Sequence, residues 1–227
     1  MRIGGIQKTS LIDYPGHLST VIFLRGCNFK CSYCHNAELL SFDGVQIERQ
    51  KMMDELITRR SFIDSVVISG GECTLSEDLR GFIQEIKSIG YGVKLDTNGT
   101  KPDIIEPLIK EGFIDYIAMD IKAPPEKYDQ VTGVCVNLDA INKSIQVIQD
   151  HMKNYEFRTT VSPEILTETE VLKIADWISG AKKYVLQNFR DNENVLCGRK
   201  KLTPYPKAKL IRLKEQLEPF FEEVSLR

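Results

Sequence analysis

Short β-rich runs alternating with amphipathic stretches constrain this chain more than any other feature. Six apolar runs read as strands: Thr20–Leu24, Ser65–Ser69, Gly92–Leu95, Tyr116–Met119, Phe157–Val161 and Tyr184–Gln187. Helical spacing recurs between them. Leu79, Phe82, Ile83 and Ile86 follow the i, i+3, i+4, i+7 pattern, as do Leu138, Ile141, Ile145, Ile148 and Met152. Met53, Leu56 and Ile57 mark a third helix, and Val171, Leu172, Ala175 and Ile178 a fourth. Leu210, Leu213, Leu217 and Phe220 mark a last one. Pro102–Glu111 is a weaker candidate, because Pro107 would interrupt a helix. Strand, helix, strand, helix predicts an α/β fold with parallel strands and right-handed crossovers. Six units fall short of a closed eight-fold barrel, so an open partial barrel and a doubly wound flat sheet both remain. The opening Gly4–Gly16 and the closing Val224–Arg227 are expected to add edge strands or cover the bottom of the sheet.

The 227 residues fit one domain, with no repeat or linker to divide them, and 42% apolar residues supply a full core. Charge is well mixed and the formal net charge is −2, which gives no electrostatic reason for nucleic acid or an acidic membrane as partner. No apolar run approaches the roughly 18 residues of a membrane helix, and MRIGGIQKTS lacks the apolar centre of a signal peptide. A cytoplasmic protein is expected.

In parallel α/β folds chemistry gathers at the C-terminal ends of strands. Five of the six strands here end in polar or glycine-rich segments. These are Arg25-Gly26-Cys27, Gly70-Gly71-Glu72, Asp96-Thr97-Asn98-Gly99, Asp120-Ile121-Lys122 and Gln187-Asn188-Phe189-Arg190. Arg158 sits inside the remaining strand, an odd residue for a buried position. One such ending is a turn; five together describe a polar pocket.

The first ending leads into Cys27-Asn28-Phe29-Lys30-Cys31-Ser32-Tyr33-Cys34, a CxxxCxxC. Three of six cysteines fall within eight residues, whereas Cys73, Cys135 and Cys197 stand far apart. A disulfide framework would be spread more evenly and would need an oxidising compartment, so the cluster reads as metal binding. Iron–sulfur clusters take thiolates, and a short loop lets three sulfurs meet one cube. Three ligands on four irons leave one iron free for a substrate. The competing reading is a structural zinc site with Cys27, Cys31, Cys34 and His35. It is disfavoured because adjacent residues rarely close one tetrahedron and no second CxxC pair exists.

At these residues the chain resembles the radical S-adenosylmethionine (SAM) superfamily, and within it the glycyl-radical-enzyme activating enzymes. GCNFKCSYCHN at Gly26–Asn36, SGGE at Ser69–Glu72, DTNG at Asp96–Gly99 and MDIKA at Met119–Ala123 are similar to that group's motifs, in order. GGIQKTSLIDYPG at Gly4–Gly16 looks most like the activating proteins of anaerobic ribonucleoside-triphosphate reductase, with the pyruvate formate-lyase activating enzymes as close relatives. The resemblance implies a partial (β/α)6 barrel. It implies a 4Fe-4S cluster on Cys27, Cys31 and Cys34 whose unique iron chelates SAM. It also implies a 5′-deoxyadenosyl radical that takes hydrogen from a glycine of a partner enzyme, with flavodoxin or ferredoxin as electron donor. No ferredoxin-like insert with further CxxC motifs is present, so one cluster is expected.

The resemblance also assigns roles. Gly70 and Gly71 would let a ligand approach the backbone, or simply make a tight turn. Glu72 would accept from the SAM ammonium, or serve as a helix N-terminal carboxylate. Asp120 and Lys122 share a strand face, which places the lysine beside a carboxylate, its neighbour's or that of SAM. Asp96 and Thr97 resemble residues that hold a monovalent cation near SAM, while Asn98 supports an Asn-Gly turn or joins them. Arg158 would counter the SAM carboxylate or the cluster, or form a salt bridge elsewhere. Tyr33, His35 and Asn36 flank the cluster, and Asn188 completes the set from the last strand end. Cys73 replaces the small residue usual after GGE and is expected to be packing. Two other functions compete: a radical SAM enzyme acting on a small molecule, and a zinc-stabilised binding module.

Overall fold

The computed structural model describes residues 1–227. Eight strands form one sheet in sequence order: β1 (Ile3–Ser10), β2 (Ser19–Leu24), β3 (Ser65–Gly70), β4 (Gly92–Thr97), β5 (Tyr116–Asp120), β6 (Tyr155–Val161), β7 (Lys183–Asn188) and β8 (Glu223–Leu226). β2 to β8 are parallel, and β1 folds back antiparallel on β2. The sheet does not close, because β1 and β8 are its two unpaired edges. The ambiguity between flat sheet and open barrel resolves in favour of the barrel. Both terminal segments do add edge strands.

Each crossover carries a helix: α1 (Arg49–Arg59), α2 (Leu79–Ser88), α3 (Pro102–Lys110), the short α4 (Tyr128–Thr132) with α5 (Leu138–His151), α6 (Glu168–Trp177) and α7 (Lys207–Leu217). Local chemistry sets their ends. Pro102 opens α3 at a position whose N–H would be unpaired anyway. Asn137 Oδ1 accepts from the N–H groups of Asp139 (3.0 Å) and Ala140 (3.3 Å) to start α5. Thr167 and Glu170 form a reciprocal capping box for α6. The expectation that Pro107 would break α3 is wrong. Pro107 and Asp103 both lie on the exposed side, so the carbonyl that loses its helical donor faces water.

Strand alternation sorts the two faces of the sheet. Val66, Ile68, Val93, Leu95, Ile117 and Met119 pack outward against the helices in the main core, with Phe82, Ile83 and Ile86 of α2 among its partners. Burying each such side chain contributes roughly 1.5–3 kcal/mol. The concave face holds a smaller apolar cluster of Tyr14, Val21, Val67 and Tyr116. On the same face β4 presents Lys94 and Asp96, and β6 presents Glu156 and Arg158, all four between their outward-facing neighbours. Glu156 is fully buried and answered by Arg227, whose two terminal nitrogens each sit 2.8 Å from a carboxylate oxygen, and by the Tyr116 hydroxyl at 3.1 Å. A polar concave face of this kind is tolerable only because every charge on it is paired. No helix is long and apolar enough to cross a membrane.

Candidate functional site

The C-terminal strand ends meet in a cavity of about 220 Å³. One wall is the cysteine loop. The loop is held from three sides: Gly26 N–H donates to Leu39 O (2.8 Å), Cys27 N–H to Leu40 O (3.1 Å) and Lys30 N–H to Thr132 O (2.7 Å). A fourth tie comes from far along the chain, where Leu196 N–H donates to Cys34 O and Cys197 N–H to Ser32 O, both at 2.9 Å. The segment after β7 therefore straps the loop in place, a contact the sequence does not announce.

The Gly-Gly-Glu turn after β3 is stitched to the same loop. Gly71 N–H donates to Leu24 O (2.9 Å) and Glu72 N–H to Gly26 O (2.7 Å). Gly70 has φ +121°, and a Cβ there would lie 2.3 Å from Leu24 O; a Cβ on Gly71 would lie 2.2 Å from Gly26 O. Both glycines are required by this backbone contact alone. Glu72 is 2% exposed and its carboxylate braces the β3 and β4 ends. Oε1 accepts from Thr74 N–H (3.1 Å), the Thr74 hydroxyl (2.5 Å) and the Thr97 hydroxyl (2.8 Å), and Oε2 accepts from Asn98 N–H (2.6 Å). Burial raises its pKa, and these donors work against that rise.

All three loop thiols line the cavity. Burial pushes the Cys27 thiol up to about 11 and raises that of Cys31, while the nearby Lys122 ammonium opposes both shifts. No three His, Cys, Asp or Glu side chains converge on a point fit for one ion. His35 Nε2 lies 2.6 Å from Arg190 O and its ring stacks on Phe189, so one ring nitrogen is committed away from the thiols. A single zinc ion suits this arrangement poorly. A multi-iron cluster suits it, because each thiolate then meets its own iron. The Tyr33 hydroxyl is buried in the same cavity with no hydrogen-bond partner. An unpaired buried hydroxyl is costly, and the Cys31 sulfur beside it is an acceptor once it is a thiolate.

The opposite wall is ionic. Lys122 Nζ lies 2.9 Å from Asp120 Oδ2 and 5.9 Å from the Tyr33 ring centroid. Arg158 Nε lies 2.7 Å from Asp120 Oδ1, and its Nη1 lies 3.3 Å from Asp96 Oδ2. Burial favours neutral carboxyls, yet Arg158 and Lys122 hold Asp120 well below the usual carboxylate range, and Arg158 with Lys94 lowers Asp96. Burial likewise opposes the Lys122 ammonium, but Asp120 outweighs it and Lys122 stays well above its ordinary value.

The structure gathers nearly every residue singled out from the sequence. Tyr33, His35, Asn36, Gly70, Gly71, Glu72, Asp96, Thr97, Asn98, Asp120, Lys122 and Arg158 all line this cavity with the three cysteines. Asn188 does not. Its amide exchanges hydrogen bonds with the Tyr205 backbone (3.0 and 2.8 Å), and it borders a neighbouring cavity instead. Asn98 spends its side chain on Asn28 and Thr100, as a turn-supporting asparagine does. Ser69, Thr160 and Gln187 line the cavity without having been assigned a role from sequence. Strand parity would have found the last two, since Arg158, Thr160 and Gln187 alternate onto the face that carries the site. Cys73 is buried with Sγ 2.9 Å from Asp96 O, and Cys135 is exposed; neither lines the cavity.

The chain matches the family model described as the Radical SAM superfamily over residues 21–178. It is 36% identical, over 99% of its own length and 95% of the relative's, to a Methanocaldococcus jannaschii protein provisionally named a glycyl-radical enzyme activating enzyme. It is 31% identical to the pyruvate formate-lyase-activating enzyme of Clostridium pasteurianum, over 58% of this chain and 57% of that one. Among solved structures, Streptococcus suis SuiB bound to its precursor peptide SuiA superposes with a TM-score of 0.73 at 17% identity, covering 91% of this chain and 48% of that chain. The chain thus spans about half the length of SuiB. A domain of a Bacteroides vulgatus pyruvate-formate lyase-activating enzyme superposes at 0.60 and 15% identity, covering 72% of this chain and 99% of that domain. At such identities the likeness is one of fold.

Proposed function

The chain belongs to the radical SAM superfamily, and on that premise we propose that it activates a glycyl radical enzyme, specifically an anaerobic ribonucleotide reductase. Enzymes of this family use a 4Fe-4S cluster and SAM. Together these supply one-electron cleavage of the sulfonium to methionine and a 5′-deoxyadenosyl radical that takes a glycine hydrogen.

In this reading Cys27, Cys31 and Cys34 hold the cluster and Lys122 balances its charge. The Lys122 and Arg158 cations receive the SAM carboxylate. The SAM ammonium lies toward the Gly-Gly-Glu turn, where Gly70 and Gly71 border the cavity and Glu72 has one oxygen with a single donor. Tyr33, His35 and Asn36 border the cluster side. A flavodoxin or ferredoxin delivers the electron.

One observation carries the choice of a protein substrate. A second cavity of about 320 Å³ adjoins the first and shares His35, Arg158, Thr160 and Gln187 with it. It is lined by Ile12 and Asp13, which follow β1, and by Arg227, which follows β8, so it lies between the two unpaired edges of the sheet. A side entrance of that kind admits a polypeptide loop to the reacting centre, where a metabolite enzyme would be expected to close over its substrate. Leu11 and Ile12 stand 78% and 75% exposed at its border, apolar surface suited to a protein partner. The preference for the reductase rests on the Gly4–Gly16 segment, and a pyruvate formate-lyase type partner is the nearest alternative.

The test is anaerobic incubation of the cluster-loaded protein with SAM, a reductant and each candidate partner in turn. Electron paramagnetic resonance should then show a carbon-centred radical on the anaerobic ribonucleotide reductase. A radical only on a pyruvate formate-lyase type enzyme would move the assignment to that alternative. No radical on any glycyl radical enzyme, with SAM cleavage stimulated by a metabolite, would replace the reading by a small-molecule one.

A further inference from the structure

Five ionised side chains form one unbroken line along the concave face: Lys94, Asp96, Arg158, Asp120 and Lys122. Lys94 Nζ pairs with Asp96 Oδ1. Arg158 joins the two carboxylates, at 3.3 Å to Asp96 Oδ2 and 2.7 Å to Asp120 Oδ1. Lys122 closes the line on Asp120 Oδ2 at 2.9 Å. Every oxygen of the two carboxylates therefore has a cationic nitrogen beside it, and Asp96 Oδ2 also accepts from the Ser69 hydroxyl at 3.1 Å. Three cations face two carboxylates, which leaves the line one positive charge in excess.

Lys94 is the unexpected member. Its side chain is 1% exposed, it does not border the cavity, and its ammonium sits 5.8 Å from the Tyr116 ring centroid. A charge so deep is costly to desolvate and is tolerable only because a carboxylate answers it. What Lys94 does provide is neutralisation of Asp96 from below. Without it Arg158 would be shared between two carboxylates with only Lys122 to help, and the excess charge facing the cavity would vanish.

The resemblance to activating enzymes raised a monovalent cation near Asp96 and Thr97. These residues do not fit one. A metal ion needs oxygens free to approach it, and those of Asp96 are already taken by Lys94, Arg158 and Ser69. The Thr97 hydroxyl is directed to Glu72. A further cation would also raise the buried excess to two charges.

We propose that Lys94 is the built-in cation of this site, a positioning residue that makes SAM binding independent of any monovalent metal ion and reserves the charge of Arg158 and Lys122 for the SAM carboxylate. The proposal rests on the reading that SAM binds in this cavity.

The experiment is equilibrium binding of labelled SAM to the anaerobic, cluster-loaded protein without reductant, in potassium, sodium or tetramethylammonium chloride at equal ionic strength. Wild-type affinity should agree within about twofold across the three salts. Lys94→Ala vacates the ammonium position beside Asp96. Its affinity should fall about tenfold or more in tetramethylammonium and recover largely in potassium or sodium, while Lys94→Arg should behave as wild type. Wild-type affinity that weakens about tenfold when potassium and sodium are withdrawn would overturn the proposal. So would a Lys94→Ala protein that binds SAM like wild type in every salt. If Lys94→Ala does not take up iron, the wild-type salt series and Lys94→Arg still decide. Failure of the wild type to bind SAM in any salt would instead overturn the site reading beneath the proposal.

Discussion

Replacing Cys27, Cys31 or Cys34 with alanine is expected to lower bound iron from about four atoms per chain to near none after anaerobic reconstitution. The sulfur-to-iron charge-transfer absorbance should go with it. Each thiol lines the cavity, and the loop backbone is tied to Leu39, Leu40, Thr132, Leu196 and Cys197, so no neighbouring residue can swing in as a substitute. Cys73→Ala, Cys135→Ala and Cys197→Ala should retain the iron. Cys73 makes the sharpest control, because its thiol lies close by but is directed to the Asp96 carbonyl. Iron loss in Cys73→Ala as complete as in Cys31→Ala would make the ligand assignment wrong.

The second large effect is on SAM. Lys122→Ala should weaken SAM binding by roughly thirtyfold or more, since truncating one partner of a buried, hydrogen-bonded charge pair costs about 2–5 kcal/mol. The loss has two sources. The carboxylate of SAM loses a cation, and Asp120 is left with Arg158 alone in a site where burial disfavours its charge. Iron content should be unchanged, which separates ligand binding from cluster assembly. Equilibrium binding on the loaded protein measures the first quantity and an iron assay the second. Equal SAM affinity in wild type and Lys122→Ala would remove this residue from the pocket.

Much of this was legible in the sequence because period-two logic holds in strands. Period two places Asp120 and Lys122 on one strand face; β5 in fact ends at Asp120, but Lys122 two residues on still turns to the same side and pairs with it. The Cys27–Cys34 spacing singled out, without any tertiary information, the loop whose three thiols line the cavity. Other features were hidden for physical reasons. Lys94 lies two residues before Asp96 in a run that reads like any strand with a solvent-facing lysine. Only the curvature of the sheet, which puts that face inside, turns it into a buried charge. Asn188 looked like a cavity residue because it ends a strand. Its partner Tyr205 lies 17 residues further on, and no local rule predicts such a contact. Pro107 looked like a breaker because the rule takes no account of which side of the helix the freed carbonyl faces. The strap from Leu196 and Cys197 onto the cysteine loop is a long-range backbone contact and leaves no sequence signature.

The central claim is that this cavity passes a hydrogen atom from a glycine of another protein to the 5′ carbon of SAM. It is tested most directly with unlabelled SAM and a partner reductase deuterated at its glycine α-carbon. After anaerobic turnover, mass spectrometry of the recovered 5′-deoxyadenosine should show one deuterium per molecule formed in step with radical on the partner. Unlabelled 5′-deoxyadenosine, with the deuterium still on the glycine, would contradict the account.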